Sequence, residues 1–273
     1  MIFTAYLDES NTGAKEPDIT VAGYLGSAPQ WRIVGRRLRQ LKREFGFSSF
    51  HATRFKAKQD DFRGWSDAKC GRLVQTLATL ERDELEEAVT ICLPFKQYVS
   101  SYRDAPFEKG VPTFSQYGVC LYLMLDALVY FVRKRSGVHR LHLVVEAGHR
   151  NAGAARTVFA AMKDHLADGS SLLGTVTVAT KEDCELLMMA DFQAHASGIS
   201  DNWERAGHPG YIRMAGTRSP AKGEAAINFI HPNSLALQRI KDRFIQRREA
   251  KKAVYFKQKG TRHKQHALIS ARG

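Results

Sequence analysis

The chain has 273 residues, of which 44% are hydrophobic and 25% are charged, an ordinary composition for a globular protein. Its start lacks a basic segment followed by an apolar run, and its longest apolar stretch, Leu121 to Val132, contains Asp126. These features argue against a signal peptide and a membrane span, and four scattered cysteines argue against a disulfide framework or a zinc site. We therefore expect a cytoplasmic protein with buried thiols.

The positive charge is concentrated at the carboxyl end. The formal net charge is +13, and the segment from Arg239 onward holds twelve Lys or Arg against two acids. A basic segment suits a phosphate backbone, because neutralising phosphates releases counterions; the alternative is a solvated tail. We predict nucleic acid, RNA or DNA, as the partner and no membrane. The predicted contact residues are Arg243, Arg247, Arg248, Lys251 and Lys252.

The first half of the chain predicts strands and then helices. Two strands close in sequence indicate an antiparallel pair, and the next apolar residues recur at helical spacing. The predicted elements are strands Ile2–Leu7 and Ile19–Leu25, a helix from Gln30 to Phe45, a helix capped by Ser66 and running to Arg82, and a strand Glu87–Leu93.

The second half alternates helices and strands. Thr113 and Gln116 form a capping-box pattern ahead of an apolar helix, Phe114 to Lys134. The elements predicted after it are a strand Leu141–Val145, a helix from Asn151 to Leu166, a strand Thr175–Ala179, a helix from Glu182 to Ser197, loops with a hairpin from Ser200 to Pro232, and a basic amphipathic helix from Leu235 to Ala250. This order predicts a mixed sheet with helices on both faces.

Three acids stand where they could meet. Asp8 and Glu146 each end a predicted strand, and Asp191 lies within an apolar helix, where an unpaired charge is costly to bury. Such carboxylates can converge on hard cations such as Mg²⁺, which favour oxygen ligands. The alternatives are that Asp8 caps a turn, that Glu146 pairs with an arginine such as Arg150, and that Asp191 bonds a neighbouring helix.

Short motifs around these acids resemble a known family, the domain of unknown function numbered 3800, whose fold is similar to ribonuclease H. The resemblance covers roughly residues 1 to 200 and depends on the order and spacing of the motifs. The matching segments are Asp8-Glu9-Ser10, Phe50-His51-Ala52-Thr53, Val144-Val145-Glu146 and Leu187-Met188-Met189-Ala190-Asp191.

The resemblance implies an α/β fold, a ribonuclease-H-like mixed sheet flanked by helices, to which this chain adds a basic carboxy-terminal helix and tail. We predict a core over residues 1–200, a loop or hairpin insertion over 201–232, and the basic helix and tail over 233–273. The resemblance further implies that Asp8, Glu146 and Asp191 are catalytic and bind Mg²⁺ or Mn²⁺. The predicted activity is that of a metal-dependent nuclease or phosphodiesterase.

Six other residues are candidates for a supporting role at the same site. His195 lies one helical turn after Asp191, and each candidate also has a structural explanation, such as the helix dipole for acids at a helix start. The six are Glu9, His51, His149, Glu182, Asp183 and His195.

Two departures from the family pattern motivate another hypothesis. Asn11 stands where the family has glycine, and Met188 stands where it has glutamine. A chain without activity would be a non-catalytic nucleic-acid-binding module or a protein-interaction module on the same fold.

Overall fold

A computed structural model describes residues 1–10, 18–104, 113–147, 152–166, 169–205, 226–230, 232, 234–246 and 249. Its strands are β1 Ile2–Ser10, β2 Ile19–Ser27, β3 Glu87–Leu93, β4 Arg140–Glu146, β5 Leu173–Ala179 and β6 Ala226–Ile230. Its helices are α1 Ala28–Phe45, α2 Ala52–Lys56, α3 Asp67–Glu84, α4 Phe95–Tyr98, α5 Gln116–Arg133, α6 Ala152–His165, α7 Gly169–Leu172, α8 Leu187–Arg205 and α9, residues 234–246.

The strands form one mixed sheet in the order β5-β4-β1-β2-β3-β6. β2 is antiparallel to both β1 and β3, which confirms the predicted pairing of the first two strands. β4 is parallel to β1, β5 is parallel to β4, and β6 is parallel to β3. The carboxyl ends of β1, β4 and β5 therefore meet at the same edge of the sheet.

Helices cover both faces of the sheet. Every residue of β2 after Ile19 is buried, as expected for a strand covered on both sides. On one face, α1, α3 and α8 share an aromatic-rich core with Tyr24 of β2, whereas α5 packs on β2 and β3 outside that core. This arrangement confirms the predicted α/β fold class, a mixed sheet flanked by helices.

The first helix shows how local sequence sets its ends. α1 begins at Ala28, two residues earlier than predicted, and the Gln30 side chain accepts a hydrogen bond from the Ser27 N–H at 2.7 Å. At the other end Gly46 takes φ 71°, where a residue with a Cβ is strained, and its N–H donates to the Lys42 carbonyl. α1 is therefore a capped helix with its apolar side inward.

Two predicted helix starts are wrong. α5 begins at Gln116, because Ser115, not Thr113, is the N-cap and accepts a hydrogen bond from Gly118 N–H at 3.1 Å. α8 begins at Leu187 and not at Glu182. Four of the five residues before it are in turns, and Asp183 N–H donates to Thr180 Oγ1 at 3.1 Å.

Part of the predicted loop and hairpin segment is regular structure. Residues 201–205 are the end of α8, and residues 226–230 form β6, which pairs in parallel with β3. A parallel strand joins its partner without a local turn, so its sequence carries no hairpin signal. The segment 206–225 lies outside the described residues.

The chain divides into two compact units. One comprises Met1–Lys96 and Phe114–Pro232 and contains the sheet; the other comprises Gln97–Thr113 and Asn233–Gly273. In the second unit the Lys241 ammonium lies 5.4 Å from the centre of the Tyr102 ring. The three-part division predicted from the sequence stays a prediction. No helix in the described part of the chain combines the length and apolarity needed to cross a membrane.

Candidate functional site

The sequence predicted that Asp8 ends the first strand, but Asp8 lies inside β1. The strand continues to Ser10, because each residue up to Ser10 pairs with a residue of β2 and Ser10 itself pairs with Thr20. Leu7 pairs with Val145 of β4, so Asp8 and Glu146 are neighbours across parallel strands at the same edge. The Asp8 side chain is only 1% exposed.

The three predicted acids meet at the side chain of Lys181, which the sequence analysis did not single out. Its Nζ lies 3.0 Å from Asp8 Oδ2, 3.0 Å from Glu146 Oε1 and 3.4 Å from Asp191 Oδ1. Lys181 follows β5 directly after Thr180, and β5 ends beside Glu146 because Ala179 pairs with it. We call these four side chains the carboxylate cluster.

Hydrogen bonds orient the acids within the carboxylate cluster. Asp8 Oδ1 accepts from the N–H of Glu9 at 2.7 Å, and Asp191 Oδ2 accepts from the N–H of Ala52 at 2.7 Å. Asp8 and Asp191 are therefore each held by a contact other than Lys181.

The electrostatics of the cluster are set by burial. Burial raises the pKa of Asp8 well above its usual range, and the charges of Asp191 and Glu146 add to this, against the opposing effect of Lys181. Burial lowers the pKa of Lys181, but the three carboxylates outweigh that effect and raise it. Lys181 is thus an ammonium ion, one cation among three acids.

Glu9 lies close to the cluster but on the other side of the sheet, as strand alternation predicts. Burial raises the pKa of Glu9 to about 8, with Glu146 adding to the rise and Lys181 opposing it. Burial also raises the pKa of Tyr117 on α5, and the charge of Glu9 contributes next. Glu9 therefore faces α5, whereas Asp8 faces α8.

His51 and Glu182 form a pair at the rim of the cluster. His51 Nε2 lies 3.3 Å from Glu182 Oε1, and His51 directly precedes Ala52, whose N–H bonds Asp191. Asp183 instead bonds within its own turn, accepting from Thr180 Oγ1 at 2.8 Å. His51 therefore lies next to the residue that bonds Asp191. Asp183 has a structural role, because its hydrogen bonds stabilise its own turn.

His195 lies one turn after Asp191 on α8. Burial lowers its pKa, the positive charge of Lys56 lowers it further, and Asp191 opposes both. Its Nε2 is buried and has no hydrogen-bond partner in the described ranges. His149 lies outside the described residues.

The predicted nucleic-acid contacts lie in the other compact unit. Arg243 is on α9 and is half-buried. The remaining four, Arg247, Arg248, Lys251 and Lys252, lie outside the described residues.

The three acids offer oxygen atoms, which are the type of ligand that a hard divalent cation prefers. The Lys181 ammonium stands at the point that a cation would take between them. No group of three or more His, Cys, Asp or Glu in the described part of the chain is spaced to hold a metal ion.

No family model and no curated protein matches the sequence. Among solved structures, the chain is similar to one from a complex of PCNA with RNase HII from Archaeoglobus fulgidus, at 12% identity and a TM-score of 0.34. The match covers 80% of this chain and 96% of that chain. At this TM-score the similarity supports no conclusion about the function of this chain.

Proposed function

We propose that the protein is a divalent-metal-dependent nuclease that hydrolyses phosphodiester bonds. The observation that supports this most is the convergence of three acids from β1, β4 and α8 within 3.4 Å of one cationic atom. A site made of carboxylates suits Mg²⁺ or Mn²⁺ and needs no serine or cysteine nucleophile. The motif resemblance to the ribonuclease-H-like family supports the same reaction class.

Asp8, Glu146 and Asp191 would hold the ion, which when bound supplies positive charge that stabilises the oxygens of a phosphodiester. In the hydrolysis, the oxygen of water bonds to phosphorus while the bond from phosphorus to one nucleotide oxygen breaks. That oxygen takes a proton to become a hydroxyl, and the other end keeps the phosphate. The N–H groups of Glu9 and Ala52 keep Asp8 and Asp191 oriented throughout.

The test is cleavage of labelled single-stranded RNA, single-stranded DNA and an RNA–DNA hybrid with Mg²⁺ or Mn²⁺. We expect Asp8→Asn and Asp191→Asn to reduce the cleavage rate by more than about 100-fold, because supporting contacts alone contribute about 10–100-fold at metal sites. Asp83→Asn is the matched control, since Asp83 is exposed near the end of α3, at the edge of the sheet opposite to the cluster. Failure of the wild type to cut any substrate with either metal would contradict the proposal.

Lys181 favours one alternative, a non-catalytic nucleic-acid-binding module. Its ammonium offsets the negative charge of the acids without any metal, as in a purely structural cluster. This alternative expects salt-dependent binding that is unchanged in chelator and after Asp191→Asn, with no cleavage. Binding without cleavage would favour it over the nuclease.

A further inference from the structure

α1 carries an unusual density of positive charge. Between Ala28 and Phe45 there are six Lys or Arg and one acid, Glu44. The helix packs its apolar residues inward, so the basic side chains occupy its outer surface. This surface lies in the same compact unit as the carboxylate cluster.

Four of these arginines form one stripe along the helix. Their spacing of four, three and four residues places them on a single face, and all four are exposed. The stripe spans about 16 Å, over which one strand of B-form DNA presents about five phosphates. Arg39 pairs with Glu185, whereas the other three have no ion pair within the described ranges. The arginine stripe is Arg32, Arg36, Arg39 and Arg43.

A groove of about 590 Å³ runs beside the stripe. Its lining includes the rings of Tyr6 and Trp31, whose centres are 4.5 Å apart. The Trp31 indole donates to the Thr4 carbonyl at 2.9 Å and is fixed in the core, whereas Tyr6 is half-buried. The groove thus combines cations with a partly accessible aromatic ring.

The groove and the carboxylate cluster lie on neighbouring parts of the same elements. Tyr6 and Asp8 lie on the same face of β1, two residues apart, which is about 7 Å along a strand. The lining also includes Glu185 and Leu186, in the turn segment that contains Lys181. The groove and the carboxylate cluster therefore share β1 and this turn segment.

We propose that the arginine stripe and its groove bind the backbone of single-stranded nucleic acid and deliver it to the carboxylate cluster. The arginines contact phosphates, and Tyr6 stacks on a base, which must be unpaired to reach the ring. The inference rests on the proposed function for the identity of its ligand. It locates substrate binding on α1, in addition to the basic carboxyl-terminal segment.

The first test measures binding of single-stranded oligonucleotides to the full chain in EDTA, so that cleavage cannot interfere. For the triple variant Arg32→Gln, Arg36→Gln, Arg43→Gln, we expect the slope of log affinity against log salt to fall by about 2, at about 0.7 per phosphate contact. Equivalently, when salt is raised from about 50 to 200 mM, the fold-loss of affinity should be roughly twentyfold smaller for the variant than for the wild type. The matched control is Arg140→Gln, Arg156→Gln, Lys163→Gln, which removes three exposed cations elsewhere.

The second test concerns the ring. We expect Tyr6→Leu to weaken single-strand binding about tenfold, within the range for loss of base stacking, while Tyr6→Phe keeps it. Duplex DNA of the same length should not respond to Tyr6→Leu. An equal loss for duplex and single strand would overturn the single-strand assignment.

The outcomes separate this inference from the nuclease proposal. A stripe variant that loses affinity, in a protein that cleaves nothing, upholds the inference and refutes the nuclease. A stripe variant that binds like the control, in a protein that cleaves, refutes the inference alone. Preferential stripe-dependent binding of an acidic polypeptide over oligonucleotides at equal salt would also overturn it.

Discussion

Two buried acidic regions flank the amino-terminal half of α8, and they are neutralised in different ways. In the carboxylate cluster, three acids surround the ammonium of Lys181. In the second region, the Glu81 network, Glu81 of α3 is 6% exposed and bonds the hydroxyl of Tyr24. A cation compensates the acids of the first region, whereas in the second region burial raises the pKa of Glu81 and favours its neutral form.

Tyr24 is at the centre of the Glu81 network. The hydroxyl of Tyr24 donates to Gln193 Oε1 at 3.0 Å, and Gln193 Nε2 donates to Thr90 Oγ1 at 3.3 Å. The Tyr24 hydroxyl also interacts with Glu81 and opposes a rise in the pKa of that carboxyl group. Burial outweighs this effect and raises the pKa of Glu81 to about 7, which favours its neutral form more than in an exposed carboxyl group.

This difference separates a structural acid from a functional candidate. Glu81 is buried beside a network of hydrogen bonds, and its raised pKa reduces its negative charge near neutral pH. The carboxylate cluster keeps more acids than cations, and its one cation is a flexible side chain that another cation could replace. The following variants test this distinction, from the largest expected effect to the smallest.

Lys181→Met should destabilise the protein most. Removing the cation leaves three acids facing one another, and breaking a buried ion pair costs about 3–5 kcal/mol. We expect a free energy of unfolding lower by this amount in EDTA, and partial recovery with Mg²⁺ or Mn²⁺, measured by urea denaturation. Lys163→Met, at an exposed position of α6, is the control. A Lys181→Met variant as stable as the control would show that the cluster does not need its cation.

Glu81→Gln should change the dependence of stability on pH. Because the pKa of Glu81 is raised from 4.5 to about 7 by folding, its stabilisation is complete below pH 4.5 and is lost as pH rises through 7. The loss is on the order of 3 kcal/mol by alkaline pH. We expect the variant to match the wild type near pH 5 and to exceed it near pH 9, in denaturation at both values. Glu84→Gln serves as control, and equal pH profiles for all three proteins would contradict the raised pKa of Glu81.

Tyr24→Phe should have an intermediate effect. It removes the hydroxyl that joins Glu81 to Gln193, and a buried group left without its partner costs about 1–3 kcal/mol. Thermal denaturation should show this loss, whereas Tyr130→Phe, at an exposed position, should be neutral. Equal stability of the two variants would mean that the hydrogen-bond chain contributes nothing.

Arg39→Gln should have the smallest effect on stability. Its pair with Glu185 is exposed on the arginine side, and such pairs contribute less than about 1 kcal/mol. We expect an unfolding midpoint in urea close to that of the wild type. A loss as large as that of Lys181→Met would remove the contrast between buried and exposed pairing.

The sequence predicted the convergence of the acids but not what lies between them. Glu146 and Asp191 could be placed because strand ends and apolar helices are visible as local patterns. Lys181 could not, because which of 41 basic residues meets a buried acid depends on the packing of distant elements. One signal was available: β4 and β5 are parallel neighbours, so residues that follow β5 lie beside Glu146.

Other omissions have similar causes. Glu81 lies four residues after Leu77, on the apolar side of α3, so its position indicated burial before the structure did. β6 pairs in parallel with a strand far along the chain, and a local pattern does not encode that partner. The basic residues of α1 were apparent, but their alignment beside a groove required the tertiary structure.

The most direct test of the central claim is a crystal structure determined with Mn²⁺ present, using anomalous scattering to locate the ion. We predict an anomalous peak at ligand distance from Asp8, Glu146 and Asp191, with the Lys181 ammonium displaced from its position between them. A structure at saturating Mn²⁺ in which Lys181 keeps its three contacts and no peak lies among the acids would contradict the claim.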